Sequence, residues 1–111
     1  MDSSQEVYRL LNKGFKIYKN CVPTNRLESD EHHLLKFLTC AKLSKMGLEY
    51  LCEATLKNNK RPDIIVPKWN VAIEIVVSET EESLAKKRDS YLGLQIYIVR
   101  CVKDIEVVLG G

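Results

Sequence analysis

Apolar residues predominate between Arg61 and Ser78, in the sequence RPDIIVPKWNVAIEIVVS. This stretch predicts two apolar β-strands joined by a short turn at Pro-Lys-Trp-Asn. In the second strand the side chains alternate between two faces, with Val71, Ile73, Ile75 and Val77 on one and Ala72, Glu74, Val76 and Ser78 on the other. Asp63 stands at the start of the first strand and Glu74 in the middle of the second. A carboxylate inside an apolar strand is costly to bury unless a cation or a charged partner compensates it, so both acids are candidates for function.

Three helices are predicted from apolar residues at helical spacing. The first covers residues 3–13 and ends at Gly14. The second covers residues 30–46, begins with a cap from Ser29 or Asp30 and ends at Gly47. Its apolar stripe comprises Leu34, Leu35, Leu38, Ala41 and Leu43. The third begins after a cap from Ser78 or Thr80 and continues through Leu92.

The remaining segments are predicted to be strands and loops. Residues 15–22 form a short strand or an extended arm, and residues 48–56 alternate as a strand that ends at the polar loop 57–60. Further strands are expected at residues 94–102 and 104–109. This order predicts an α/β fold with a mixed β-sheet flanked by helices. We expect a single domain over residues 1–111, with a core of about 29–102 and an N-terminal helix and arm over 1–28.

The composition is that of an ordinary globular protein, with 45% hydrophobic and 29% charged residues. No apolar run is long enough to span a membrane, and the N-terminus lacks the pattern of a secretory signal. We therefore expect a cytoplasmic protein without a membrane partner. The cysteines lack zinc-ligand spacing, and Cys40, Cys52 and Cys101 lie in apolar patterns that indicate buried thiols. A disulfide framework is the alternative.

A formal net charge of +2 permits nucleic-acid binding only through local clusters of basic residues. One cluster comprises Lys57, Lys60, Arg61 and Lys68, and the other comprises Lys86, Lys87 and Arg88. The second cluster follows the strand that carries Glu74, which makes it a candidate for contacts with phosphate groups.

The pattern of elements and acids resembles the PD-(D/E)xK nuclease superfamily. The resemblance covers about residues 29–102 and rests on Pro62-Asp63, on Glu74 in an apolar strand, and on a preceding helix with the early acid Glu31. It implies the restriction-endonuclease-like core, an αβββαβ arrangement. It also implies that Asp63 and Glu74 bind Mg²⁺ or Mn²⁺ and that the protein is an endonuclease acting on DNA, or on RNA. Some members place an additional helical acid where Glu31 stands.

One position departs from that family, because Val76 stands where its motif lysine is expected. Lys87 is the first candidate for a relocated catalytic lysine and Lys86 the second. Lys87 and Tyr91 have the spacing of the Gln-x-x-x-Tyr helix motif of the RecB-like branch, and residues four apart share one helix face. The sequence Ile-Glu-Ile-Val-Val-Ser also resembles competence-type nucleases. The residues expected to contact nucleic acid are Lys60, Arg61, Lys86, Arg88 and Tyr91.

Alternatives remain open for the domain and for several residues. The domain is alternatively a catalytically inactive nucleic-acid-binding or assembly module, or a structural α/β protein whose acids are solvated. His32 and His33 are adjacent, which excludes an i, i+4 metal pair and favours surface or partly buried positions. Glu53 is interpreted as a solvated strand residue, and Trp69 either stacks on a base or covers the sheet. A symmetric homodimer would enlarge the footprint of so small a domain.

Overall fold

The predicted hairpin lies within a five-stranded mixed sheet. A computed structural model describes residues 3–88 and 90–110, except for the side chain of Arg88. The strands are β1 (Tyr18–Lys19), β2 (Leu51–Cys52), β3 (Ile64–Val66), β4 (Val71–Ile75) and β5 (Gln95–Val99), and they lie side by side in the order β1-β2-β3-β4-β5. The neighbouring pairs β1·β2, β2·β3 and β3·β4 are antiparallel, whereas β5 is parallel to β4.

In the described part of the chain, four α-helices flank the sheet: α1 (Ser4–Arg9), α2 (Asp30–Lys45), α3 (Glu81–Arg88) and α4 (Val102–Leu109). The predicted α/β class with a mixed sheet and flanking helices is therefore confirmed. Among the described residues, no helix combines the length and the apolar character needed to cross a membrane.

The core occupies both faces of the sheet. On one face, Ile73 and Ile75 of β4 pack with Leu35 and Leu43 of α2 and with Ile105 of α4. On the other face, Ala72 of β4 packs with residues of α1 and with Tyr91 and Leu94. All five residues of β4 are buried. The predicted alternation of side chains along this strand is confirmed, and it directs Glu74 to the face on which Tyr91 packs.

The β3–β4 hairpin fixes the position of the two acids. Ile64 pairs with Ile73 and Val66 with Val71 around a 3₁₀ turn at Pro67–Trp69. Asn70 completes the turn with a φ of 58°, a left-handed conformation that asparagine tolerates. Continuing this register by one step sets Asp63 opposite Glu74.

Helix α2 begins and ends where the sequence predicts. The Ser29 side chain accepts a hydrogen bond from the His32 N–H, and Gly47 follows the helix with a φ of 73°. The predicted apolar stripe is wrong at Leu34, which is 54% exposed. The helix instead buries Lys36 and Thr39 beside Leu35 and Leu43, because acids compensate the lysine and the Leu35 carbonyl accepts the Thr39 hydroxyl.

The strand predicted at residues 104–109 is wrong, because this segment belongs to α4. Ile105 and Leu109 are one helical turn apart, and both are buried against the sheet. Cys101 is the residue that precedes this helix and is exposed, so its prediction as a buried thiol is also wrong. Cys40 and Cys52 are buried as predicted, and all four cysteines are free.

Several further elements are shorter than predicted, including β5, which covers Gln95–Val99 rather than residues 94–102. Strand β2 has two residues, because Glu53 turns the chain with a φ of 54°. Helix α1 ends at Arg9, and Leu11 then pairs with Leu56 in an isolated β-bridge. Helix α3 starts after Thr80, whose hydroxyl accepts the Ser83 N–H, and ends at Arg88.

Candidate functional site

Asp63 and Glu74 lie together, one from each strand of the β3–β4 hairpin. The two carboxyl groups are close enough for each to shift the pKa of the other. The backbone N–H of Ile75 donates to Oδ2 of Asp63 at 2.8 Å, which holds the aspartate against β4. Glu74 is only 3% exposed, whereas Asp63 is partly accessible and lines a cavity. The hairpin therefore creates a pair of carboxylates with one buried member and one accessible member.

The two acids have opposite pKa shifts. Burial and the nearby Asp63 charge raise the pKa of Glu74 to about 8, against the lowering effect of Tyr91 and Lys87. Burial also acts to raise the pKa of Asp63, but hydrogen bonds from His32 and from the Ile75 N–H hold this pKa below its ordinary value. At neutral pH the pair therefore carries a single negative charge, with Asp63 ionised and Glu74 protonated.

Tyr91 and Lys87 both contact Glu74. The Tyr91 hydroxyl donates to Oε1 of Glu74 at 2.5 Å, and Lys87 Nζ lies 3.7 Å from Oε2. A shorter contact of 2.7 Å joins Lys87 Nζ to Oε1 of Glu79. The prediction that one helix face presents Lys87 and Tyr91 is wrong, because Tyr91 lies beyond the end of α3. The chain bends after this helix, and the tyrosine still reaches the acid.

His32 is a member of the site that the sequence did not identify. Its Nε2 lies 3.5 Å from Oδ2 of Asp63, and this carboxylate raises the pKa of the imidazole. The Ser29 cap places His32 in the first turn of α2, at the end of the helix that approaches the hairpin. From the sequence, two adjacent histidines in a helix can be predicted only to point in different directions. The contact depends on how α2 packs against the sheet, which sequence spacing does not show.

A buried lysine lies behind His32. Lys36 has no exposed surface, and its Nζ lies 2.9 Å from Oε1 of Glu28 and 3.4 Å from Oε1 of Glu53. Burial acts to lower the pKa of Lys36, but Glu28 and Glu53 outweigh this effect and raise it. Glu28 also contacts both histidines: its Oε2 is hydrogen-bonded to Nδ1 of His33 at 3.2 Å, whereas its Oε1 lies 3.3 Å from Nδ1 of His32 without the alignment of a hydrogen bond. Glu53, interpreted from sequence as solvated, is a partner in this cluster.

A cavity of about 450 Å³ opens beside Asp63. Its polar lining includes Glu28, His32, Glu53, Arg61, Asp63 and Glu79. Among the predicted nucleic-acid contacts, the structure thus brings Arg61 to the cavity of Asp63 and Tyr91 to Glu74.

The other predicted residues lie outside this cavity. Glu31, Lys60 and Lys86 are exposed and do not line it. The side chain of Arg88 falls outside the described residues. Trp69 packs against the core, as expected for an aromatic residue that covers the sheet.

Within residues 3–88 and 90–110, no group of three or more His, Cys, Asp and Glu side chains has an arrangement that could hold a metal ion. Mg²⁺ usually takes one or two carboxylate ligands from a protein and keeps several waters. The pair of Asp63 and Glu74 is sufficient to supply these oxygen donors. Comparisons of the chain with family models, with curated proteins and with solved structures gave no match.

Proposed function

We propose that this protein is a divalent-cation-dependent nuclease that hydrolyses phosphodiester bonds in DNA through Asp63 and Glu74. The observation that carries the proposal is the pairing of Asp63, which lines a polar cavity, with the buried Glu74, which Lys87 and Tyr91 contact. The order α2-β2-β3-β4-α3-β5 supports a restriction-endonuclease-like core, in which acids at these two positions are expected.

The donor set fits Mg²⁺ or Mn²⁺. Two carboxylates in contact repel each other when both are ionised, and a divalent cation between them removes that repulsion. Asp63 and Glu74 would hold the cation, which supplies positive charge for the phosphodiester and lowers the pKa of a water. His32 would keep Asp63 ionised and oriented through its contact with Oδ2.

Lys87 would take the part of the absent motif lysine. It is partly exposed and close to Oε2 of Glu74, so its ammonium can stabilise charge on a phosphate without a large movement. Tyr91 positions Glu74 and favours its ionised form. Arg61, in the cavity lining, would contact a phosphate of the bound strand.

Two observations favour a second candidate, a nucleic-acid-binding module without cleavage activity. Val76 is buried at the position of the family lysine, so that position offers no cation. Lys87 makes its shorter contact with Glu79 rather than with Glu74. In this second function the acids would stabilise the fold through their shared proton, and binding would depend on the basic surface alone.

A plasmid-nicking assay separates the two candidates. We expect wild-type protein to nick supercoiled DNA with Mg²⁺ or Mn²⁺, and Glu74→Gln to reduce the rate at least about 100-fold because it removes a cation ligand. Lys87→Ala should reduce the rate about 100-fold as well, whereas Lys86→Ala, exposed on the same helix, should change it little. Glu82→Gln, at an exposed position of α3, is the matched control for the loss of an acid.

The same assay has clear contrary results. Nicking that survives Glu74→Gln would identify a contaminating nuclease or a different site. Metal-independent binding of DNA without any nicking would leave the binding module as the function.

A further inference from the structure

A second hollow, lined only by basic and uncharged residues, lies on the side of the molecule that carries α1. Its lining consists of Arg9, Leu11, Asn12, Lys13 and Lys57. The three cations are exposed, and none forms an ion pair within the described part of the chain. Three positive charges around one hollow without an acid repel one another, so the arrangement favours an anionic ligand.

Backbone hydrogen bonds hold the walls of this hollow in place. The Lys57 N–H donates to the Leu10 carbonyl and the Asn12 N–H donates to the Thr55 carbonyl, each at 2.8 Å. Leu11, between these contacts, is buried and pairs with Leu56. The basic side chains therefore extend from two segments that are fixed to each other, which limits the entropy lost when a ligand binds.

A hairpin joins the hollow to the segment that carries Asp63. Leu56 N–H bonds to the Lys60 carbonyl at one end of a hairpin, and Glu53 N–H bonds to the Asp63 carbonyl at the other. These two hydrogen bonds are three positions apart in sequence, a span of at most about 10 Å, or about three phosphate spacings along the axis of a DNA strand. Lys60 and Arg61 lie along this span, and Arg61 lines the cavity of Asp63.

A second connection joins the loop to the other acid. The Asn58 side chain donates to the Ser90 carbonyl at 2.7 Å, and the next residue, Tyr91, contacts Glu74. The basic hollow is therefore tied to both halves of the carboxylate pair through short covalent and hydrogen-bonded paths.

We propose that Arg9, Lys13 and Lys57 bind the phosphate backbone of a nucleic-acid strand and align it with Asp63 and Glu74. The inference rests on the proposed nuclease function for the identity of the ligand, because phosphodiesters are what the acid pair would act on. Contacts of lysine and arginine with phosphates fix register without reading bases, so this surface binds strands of any sequence.

The test compares two triple variants of equal charge. One is Arg9→Gln/Lys13→Gln/Lys57→Gln, and the control is Lys19→Gln/Lys45→Gln/Lys103→Gln, at exposed positions outside the hollow and outside the two basic clusters of the sequence. Each lowers the formal net charge from +2 to −1, by subtraction of three. Binding of a labelled single-stranded oligonucleotide is measured in EDTA over a series of salt concentrations, with thermal melting as the check on folding.

We expect the hollow variant to bind at least about 10-fold more weakly at low salt and to lose about two units from the slope of log affinity against log salt, since three lost phosphate contacts each contribute about 0.7. The control should keep most of the wild-type slope. Equal losses in the two variants would overturn the proposal, because only net charge would then matter. Competition by orthophosphate at the same phosphate concentration as the oligonucleotide would overturn it too, since it would indicate a small-anion pocket.

The result is independent of catalysis. If oligonucleotide binding depends on the hollow but the protein nicks no DNA, the proposed binding surface is supported and the proposed nuclease function is refuted. Metal-dependent nicking by the hollow variant with wild-type affinity for DNA would refute this surface and support the nuclease.

Discussion

Tyr91 is one of the groups that set the pKa of Glu74. Its hydroxyl donates to Oε1 of Glu74 and lowers the pKa of that acid, against the stronger effects of burial and Asp63. We predict that Tyr91→Phe raises the pKa of Glu74 above about 8, by about one unit for the loss of one hydrogen bond to a charged group. Because a cation requires ionised Glu74, Mn²⁺ affinity at neutral pH should fall about 10-fold, and the curve of affinity against pH should move to higher pH.

Calorimetric titration with Mn²⁺ between roughly pH 6.5 and pH 9 measures this shift. Tyr97→Phe is the control, because Tyr97 packs against the core on the opposite face of the sheet. An unchanged affinity profile in Tyr91→Phe would show that the hydrogen bond has no influence on the ionisation of Glu74.

Helix α2 is attached to the rest of the site through Lys36. This lysine joins the helix to Glu28 in the preceding loop and to Glu53 after β2. We predict that Lys36→Met destabilises the protein by about 3 kcal/mol or more, because Glu28 loses its compensating charge in a site with little exposure. Lys36→Met/Glu28→Gln should recover part of that loss, because the uncompensated acid is then removed as well.

Urea unfolding monitored by circular dichroism measures both variants, and Lys45→Met provides the control at an exposed position of α2. A cost below about 1 kcal/mol for Lys36→Met would contradict the prediction, since it would place the lysine among weakly coupled surface ion pairs.

Among the helices and strands, those that a local sequence pattern defines were predictable, whereas the lengths of other elements were not. The β3–β4 hairpin follows from period-2 alternation around a Pro-Lys-Trp-Asn turn, and the start of α2 follows from its Ser29 cap. The local pattern did not identify the helix at residues 102–109, because a short apolar run fits a strand as well as a helix. Strand β2 ended early because Glu53 adopts a left-handed conformation, which residue type alone did not indicate.

At the scale of the whole molecule, the site combines parts that the sequence could predict with parts that it could not. Asp63 and Glu74 were predictable because one hairpin carries both, and their separation determines that they face each other. His32, Glu28 and Lys36 come from a different segment, and their approach to Asp63 depends on the packing of α2 on the sheet. Tyr91 was predicted to contact nucleic acid from the same helix face as Lys87, whereas it lies beyond the end of α3 and donates to Glu74.

The stability of the whole protein should depend on pH through the same groups. Glu74 has a pKa of about 8 when folded and an ordinary value of 4.5. Between these values the folded protein holds a proton that the unfolded chain lacks, so the stability present below pH 4.5 is lost as the pH rises and is gone above about 8. The raised pKa of His32, ordinarily 6.5, acts in the same direction. The lowered pKa of Asp63 acts in the opposite direction: its contribution to stability is present above about 3.8 and is lost only as the pH falls below that value.

We therefore predict that the metal-free protein loses stability from roughly pH 5 to pH 9, by up to about 5 kcal/mol from Glu74 alone. Millimolar Mg²⁺ should raise the melting temperature at roughly pH 9 and have little effect at pH 5, because only the doubly ionised pair binds it. Glu74→Gln should flatten the pH profile and remove the Mg²⁺ effect together, which melting curves in EDTA and in Mg²⁺ would measure. Loss of the pH slope alone would show a shared proton without a cation site, and this outcome would favour the binding module over the nuclease. Loss of both the pH slope and the Mg²⁺ effect in Glu74→Gln would show that Glu74 binds the cation, because the same carboxyl group would then account for the proton and for the metal.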